Sequence, residues 1–334
     1  MTEPVTAEPK RIPFYKRRSF HILVSATLLS ILCSRLQSED LTRIFTQAAP
    51  IYIILFFVIE FADRIFMAWK WRLLLLREYP HYPLGHAIRV YLMSTATGLL
   101  LPLGGVGPDL VRVGMLKIDG VPGDAAISSI LVERLTGVLG TLIMVCFAMA
   151  MLFAQLTLDD TKMLWLIFAC CLGGAVLGLA ILASPRLRRL MGAETWMLAL
   201  FTKIGLGPHW QAVLRYAERP ALLVLSIVLS WIEQFADVIS FYFCCLAFGI
   251  DISLLQATAM IPIAAILGRL PISFMGLGVR EASLVYMGSL FGISYADAML
   301  ASLTSFTLFL TMLAPILIWA MFHRREVDVA AQRA

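Results

Sequence analysis

The sequence predicts an all-α polytopic membrane protein built from two related halves of opposite orientation. Three observations lead there. Several apolar runs reach the roughly 20 residues that a helix needs to cross a bilayer. The Lys and Arg residues fall in short segments between those runs, the pattern that sets orientation in a membrane. A series of motifs then recurs in unchanged order, displaced by about 169–174 residues, as an internal duplication would leave it.

Composition excludes other classes. Of 334 residues, 60% are hydrophobic and only 15% are charged, too little charge to cover a soluble domain of this length. The net charge of +5 resides in the orienting segments, so no nucleic-acid partner is expected. All six cysteines (Cys33, Cys146, Cys170, Cys171, Cys244, Cys245) lie inside apolar runs without a Cys-x-x-Cys pair, and no two histidines stand at helical spacing. No metal site and no cofactor is therefore expected.

Residues 1–18 form a basic tail (Lys10, Arg11, Lys16, Arg17, Arg18), read as lying inside. The apolar run 19–36 is longer than a signal-peptide core and no small-residue cleavage site follows it. It reads as a retained first span, closed by an outer loop with Glu39 and Asp40, so that 19–49 forms one unit. Repeat A covers 50–153: a span at 50–69, an inner basic segment with Lys70, Arg72 and Arg77, a broken apolar stretch at 84–118, and a span at 124–153. Residues 154–219 hold an outer loop with Asp159 and Asp160, a linking span at 163–183, and an Arg-rich inner segment. With Trp196 and Trp210, that last segment reads as an amphipathic surface helix. Repeat B covers 220–322: a span at 220–248, a broken stretch at 254–291, and a span at 297–322. The tail 323–334 begins His323-Arg324-Arg325 and lies inside, so every basic cluster falls on one side. Trp69, Trp71 and Trp319 are expected as interface anchors. Gly174 and Gly178 mark close helix packing within the chain.

The two broken stretches carry Pro and Gly at their centres, Leu101-Pro102-Leu103-Gly104-Gly105-Val106-Gly107-Pro108 and Leu270-Pro271-Ile272-Ser273-Phe274-Met275-Gly276-Leu277-Gly278. Their second legs, near 109–118 and 279–291, reach roughly 14–20 Å, against a hydrocarbon core of roughly 30 Å. Each stretch is read as a re-entrant hairpin of two half-helices; two ordinary tilted spans are the alternative.

The duplication rests on four correspondences. Ile59-Glu60-Phe61-Ala62-Asp63 recurs as Ile232-Glu233-Gln234-Phe235-Ala236-Asp237, and Leu101-Pro102 as Leu270-Pro271. Gly105-Val106-Gly107 recurs as Gly276-Leu277-Gly278, and Gly120 with Asp124 as Gly292 with Asp297. The odd linking span makes the second copy enter from the opposite side. Inverted repeats with broken helices near the midplane are the pattern of secondary transporters.

Ionisable residues inside spans are costly and need a reason. Here they are Glu60, Asp63, Arg64, Asp109, Arg112, Glu133, Arg134, Glu233, Asp237, Arg269, Arg280 and Glu281. Asp109 and Arg112 can share a helix face. Arg280 and Glu281 are adjacent and cannot face each other, which leaves each open to a partner elsewhere, for instance Glu133 or Arg134. Pro108 and Gly278 open the second half-helices, where unpaired N–H groups attract anions. Arg112, Arg134 and Arg280, with Gly105, Gly107, Gly276 and Gly278, are therefore expected to bind a phosphate or head group near the midplane. Asp109, Glu133, Glu281, Glu60, Asp63, Glu233 and Asp237 would balance charge or couple transport, and Arg64 and Arg269 are additional basic candidates. A structural alternative stands beside this: the acids cap helix starts and the arginines glue the halves.

The residues Leu101 through Gly105, Asp109, Arg112, Glu133-Arg134 with Gly137, and Pro271 through Gly276-Leu277-Gly278-Val279-Arg280-Glu281 resemble the lysylphosphatidylglycerol synthase transmembrane family, or flippase-like domain family, over roughly 50–322. The resemblance implies a prokaryotic cytoplasmic (inner) membrane protein that moves a membrane phospholipid or lipid-linked group between leaflets. Relatives include the flippase half of aminoacyl-phosphatidylglycerol proteins and members tied to hopanoid and polyprenyl-glycolipid pathways. This sequence shows no aminoacyl-transferase domain, so lysyl transfer is not expected, and it has Phe274-Met275 where a Gly-rich turn is often found. The expected function is thus a flippase for an anionic lipid, not an enzyme. The competing classes are a membrane-embedded enzyme using carboxylates such as Glu133 and Glu281 on a lipid phosphate, and a scaffold for lipid-synthesis enzymes.

Overall fold

A computed structural model describes residues 18–34, 48–98, 106–153, 162–183, 210–268 and 276–322, with isolated positions between 195 and 203. The centres of both broken stretches up to Gly105 and Met275, with Arg269, and both charged tails lie outside the described residues, as do Glu39, Asp40, Asp159 and Asp160.

The described chain is all-helical. Helix α1 spans Arg18–Cys33, α2 Pro50–Glu78, α3 Leu84–Gly98, α4 Gly107–Ile118, α5 Gly123–Phe153 and α6 Lys162–Ala183. Then come α7 Trp210–Ala217, α8 Pro220–Ala247, α9 Leu254–Gly268, α10 Val279–Leu290 and α11 Tyr295–Phe322. Parts of α5, α8 and α11 are long and apolar enough to cross a bilayer. With the apolar composition, this makes the chain a polytopic membrane protein. Helix α2 runs about 43 Å at 1.5 Å per residue, nine residues beyond the expected span, because its charged C-terminal turns are covered by other helices.

The order long, short, short, long occurs twice with matched lengths. Helices α2, α3, α4 and α5 have 29, 15, 12 and 31 residues, and α8, α9, α10 and α11 have 28, 15, 12 and 28. Local encoding repeats too. Both α2 and α8 open on a proline, Pro50 and Pro220, whose missing N–H costs nothing in a first turn. Both short second helices end on a glycine at positive φ, Gly120 at 80° and Gly292 at 74°. There the next N–H reaches back five residues, Val121 to Leu116 O (2.9 Å) and Ile293 to Gly288 O (3.0 Å). This is the Schellman arrangement that stops a helix and turns the chain.

Packing obeys the same exchange. Helix α2 packs on α3, α5 and α11, and α8 packs on α9, α11 and α5. Helix α3 packs on α4 and α11, and α9 on α10 and α5. The pair joining the halves, α2 with α8, runs antiparallel: the Ala49 N–H at the start of α2 donates to Ala247 O at the end of α8 (2.8 Å), while the Tyr216 hydroxyl just before α8 donates to Leu74 O near the end of α2 (3.0 Å). Gly178 of α6 lies where a Cβ would meet Leu139 of α5 at 2.4 Å, so the expected close packing is α6 on α5. Of the amphipathic inner segment, the described part is α7, which docks on α2 through Arg215 to Glu78 (2.7 Å).

Trp71 departs from expectation. It is fully buried and donates to Ser129 Oγ at 3.3 Å, so it is a core residue between α2 and α5 and not an interface anchor. Trp319 is exposed, with the Arg89 guanidinium over its ring.

Candidate functional site

The antiparallel crossing of α2 and α8 gathers most of the intramembrane charge. Glu60, Asp63 and Arg64 share one face of α2 through i, i+3, i+4 spacing, and Glu233, Asp237 and Ser240 share one face of α8 through i, i+4, i+7. The two faces meet. The Ser240 hydroxyl donates to Glu60 Oε1 (2.7 Å), and Lys70 Nζ donates to Ser230 (3.1 Å) and to Glu233. The repeated glutamates thus each bond to the opposite long helix. Between them Arg64 lies 2.8 Å from Asp63, 3.8 Å from Glu60 and 3.9 Å from Asp237, with its guanidinium 5.5 Å from the Phe309 ring.

Beside this cluster is a cavity of about 240 Å³. Its polar wall is Glu60, Arg64, Asp237, Ser240, Arg280 and Ser305; Phe56, Phe241, Ile261 and Phe309 supply apolar wall. Arg280 donates to the Ser305 hydroxyl (2.9 Å). Among the described residues it has no carboxylate within salt-bridge distance, unlike Arg64, which has three. The arrangement offers two guanidinium groups, one without an acid partner among the described residues, on a partly apolar wall. That suits a phosphate or similar anion attached to an apolar body.

The other expected residues lie elsewhere. Asp109 and Arg112 do not pair with each other. Each reaches α5: Arg134 grips Asp109 with two N–H bonds (2.9 and 2.7 Å), and Arg112 donates to Glu133 (2.5 Å). Arg134 is half-exposed. Arg112 is 1% exposed, with the Tyr91 and Trp71 rings 4.2 and 5.0 Å from its guanidinium. Neither Arg112 nor Arg134 lines the cavity, so the expected meeting of three arginines is replaced by Arg64 with Arg280. The reason is that adjacent Glu133 and Arg134 face different neighbours and each takes an opposite charge from α4.

At the start of α10, Glu281 is fully buried and accepts from the Gly278 N–H (2.5 Å) and the Ser302 hydroxyl (3.2 Å). It satisfies its own helix start and does not pair with Arg134. Gly278 (φ 87°) and Gly276 (φ 77°) hold conformations that favour glycine. A Cβ on Gly276 would meet Gly268 O at 2.7 Å, and one on Gly98 would meet the Pro108 backbone at 2.3 Å. Both short-helix pairs therefore approach closely at glycine, next to Gly107 in the first. Gly105 and Arg269 lie outside the described residues.

Sequence reasoning missed three contributors. Lys70 was counted as an orienting charge, yet it is buried on Glu233. Its place seven residues after Asp63, on the same face, was the available signal. Ser240 stands seven after Glu233 on α8. Ser305 carries no signal of its own.

A family model described as the lysylphosphatidylglycerol synthase TM region matches residues 19–319. The chain belongs to this family. The match runs from α1 into α11, so the lysylphosphatidylglycerol synthase TM region takes in both halves and the crossing between them. Membership makes the chain a multi-pass membrane protein with a lipid-related function. No curated protein matches the chain.

Proposed function

We propose that this chain moves an anionic phospholipid or lipid-linked head group between the leaflets of the cytoplasmic membrane, acting as a transporter and not an enzyme. One observation carries the reading: Arg280, which among the described residues bonds only to Ser305, lines the same cavity as Arg64, beside an apolar wall. An arginine in a membrane without an acid partner is costly unless an anion visits it. In this reading the phosphate sits on Arg280 and Arg64, and the acyl chains stay toward the apolar side. Arg134, half-exposed on Asp109, is a second contact along the path, and Arg112 with Glu133 holds α4 to α5. Glu60, Asp63, Glu233 and Asp237 balance the empty site.

The two halves lie inverted across the bilayer in this proposal, with half-helix pairs 84–118 and 254–291 entering from opposite sides and both termini cytoplasmic. Its supports are the antiparallel α2–α8 pair, the matched helix lengths, and the one-sided distribution of basic segments. Inverted halves give inward-open and outward-open states of similar energy.

The test is transport in proteoliposomes, with fluorescent phosphatidylglycerol in one leaflet and a membrane-impermeant quencher outside. Arg280→Ala should cut the protein-dependent rate at least about tenfold, the effect of losing about 1.4 kcal/mol of binding to the moving state, with unchanged thermal unfolding. Arg280→Lys should recover little, because a point charge lacks the planar fork. Wild-type transport by Arg280→Ala would sink the reading.

A further inference from the structure

The cavity beside the α2–α8 crossing supplies hydrogen-bond donors and acceptors from different groups. Its donors are the guanidinium N–H groups of Arg64 and Arg280. Its two serines have their hydrogens committed elsewhere. Ser240 donates to Glu60 Oε1 (2.7 Å) and toward Asp237 O (3.1 Å), and Ser305 donates to Ser302 O (2.9 Å). The acceptors differ in access. The side chains of Glu60 and Asp63 are 8% and 2% exposed, whereas that of Asp237 is 37% exposed and lines the cavity. An ionised carboxylate has about four acceptor positions. The contact of Asp237 with Arg64 at 3.9 Å therefore leaves it able to accept from a ligand as well.

A phosphodiester capped by a plain alkyl group would satisfy the arginines and leave Asp237 facing a group with nothing to donate. Once a ligand displaces water, an acceptor left unpaired is costly. The complementary ligand accepts at one end and donates at the other. An ammonium is a poor donor here. It would enter beside Arg280, a cation that no described acid offsets, and like charges repel. A neutral hydroxyl carries no such penalty. We infer that the cavity selects a polyol phosphodiester head group: its phosphate lies on Arg280 and Arg64, and one of its hydroxyls donates to Asp237, which determines specificity. The space, about 240 Å³, is below the roughly 300–1,000 Å³ of drug-sized sites. It suits a glycerol-sized head group whose acyl chains stay outside. This inference rests on the transport reading above and names the substrate class of the same site.

The test is calorimetric binding of short-chain lipids to the full chain in detergent. Dihexanoyl-phosphatidylglycerol and dihexanoyl-phosphatidylmethanol each carry one negative charge and differ in the head-group hydroxyls. The wild type should bind the first at least about tenfold more tightly, as the loss of one hydrogen bond to a charged group implies. Asp237→Ala should bring the ratio of the two affinities close to one, whatever it does to both through Arg64. Asp237→Asn keeps a weaker acceptor and should retain part of the preference. Glu218→Ala, at an exposed acid, should keep all of it. Equal binding of the two lipids by the wild type overturns the inference and leaves the phosphate reading in place. An undiminished preference in whichever Asp237 variant folds overturns the role of Asp237. Tighter binding of dihexanoyl-phosphatidylethanolamine than of the glycerol lipid overturns the choice of hydroxyl over ammonium. Failure of all three lipids to bind overturns the transport reading and this inference with it.

Discussion

Arg112 of α4 and Glu133 of α5 form an ion pair closed off from its surroundings, 2.5 Å long, with Tyr91 and Trp71 against the guanidinium. Two helices are riveted together at a point where neither charge has another outlet: Glu133 Oε1 and Arg112 Nε find no other partner among the described residues.

Removing one member therefore strands the other. Arg112→Ala is expected to destabilise the protein by about 3–5 kcal/mol, while Arg112→Met combined with Glu133→Leu should recover most of the loss. Thermal unfolding in detergent reads both. An Arg112→Ala protein as stable as wild type would show that the pair does not hold α4 to α5.

The glycine crossings predict a contrast among alanine substitutions. Gly98→Ala and Gly276→Ala force a methyl into backbone atoms at 2.3 and 2.7 Å, and should cost about 1–3 kcal/mol. Gly85→Ala meets nothing within 4 Å and should be neutral, or stabilise by up to about 1 kcal/mol. Equal unfolding temperatures for all three would refute the close approach.

Sidedness is checked by cysteine labelling in a background freed of the six native cysteines. Asp251→Cys, in the turn after α8, should react with an impermeant thiol reagent added outside intact cells. Glu218→Cys, in the turn before α8, should react only after permeabilisation. The opposite pattern would invert the proposed orientation.

Tyr82, in the turn between α2 and α3, gives a pH prediction. Burial pushes its phenol up, and its hydrogen bond to Asp119 (2.5 Å) pushes it further. The folded state thus favours the neutral phenol. Its contribution is complete below the unfolded value of about 10 and is lost as pH rises above it. Compared with wild type, Tyr82→Phe should cost about 0.5–1.5 kcal/mol at neutral pH, and the difference should shrink above roughly pH 10. A difference that stays constant to higher pH would refute the linkage.

Much of the architecture was readable in the chain because it is written locally. Pro50, Pro220, Gly120 and Gly292 fix starts and stops without help from neighbours, and the apolar runs give the helix lengths. The partners of buried charges were not readable. Asp109 and Arg112 have ideal spacing for each other, yet α5 offers each a better match, and that depends on how α4 and α5 meet. The Glu60 and Glu233 motifs marked the right faces of α2 and α8. That those faces meet, with Lys70 between, follows from the antiparallel crossing, which no spacing within either helix encodes.

The turns at Gly120 and Gly292 carry a consequence for how such a molecule can arise. A turn made of backbone hydrogen bonds and one left-handed glycine has a handedness but no sense of up or down. Copied and set upside down in a bilayer, it folds as before. Charges have no such indifference, because each copy meets different neighbours: the first short-helix pair is fastened by Arg112 on Glu133, the second by Glu281 on Ser302 and its own helix start. Punctuation of this kind is indifferent to orientation while ionic chemistry is not, and the two sets of helices are alike in length and unequal in what they hold.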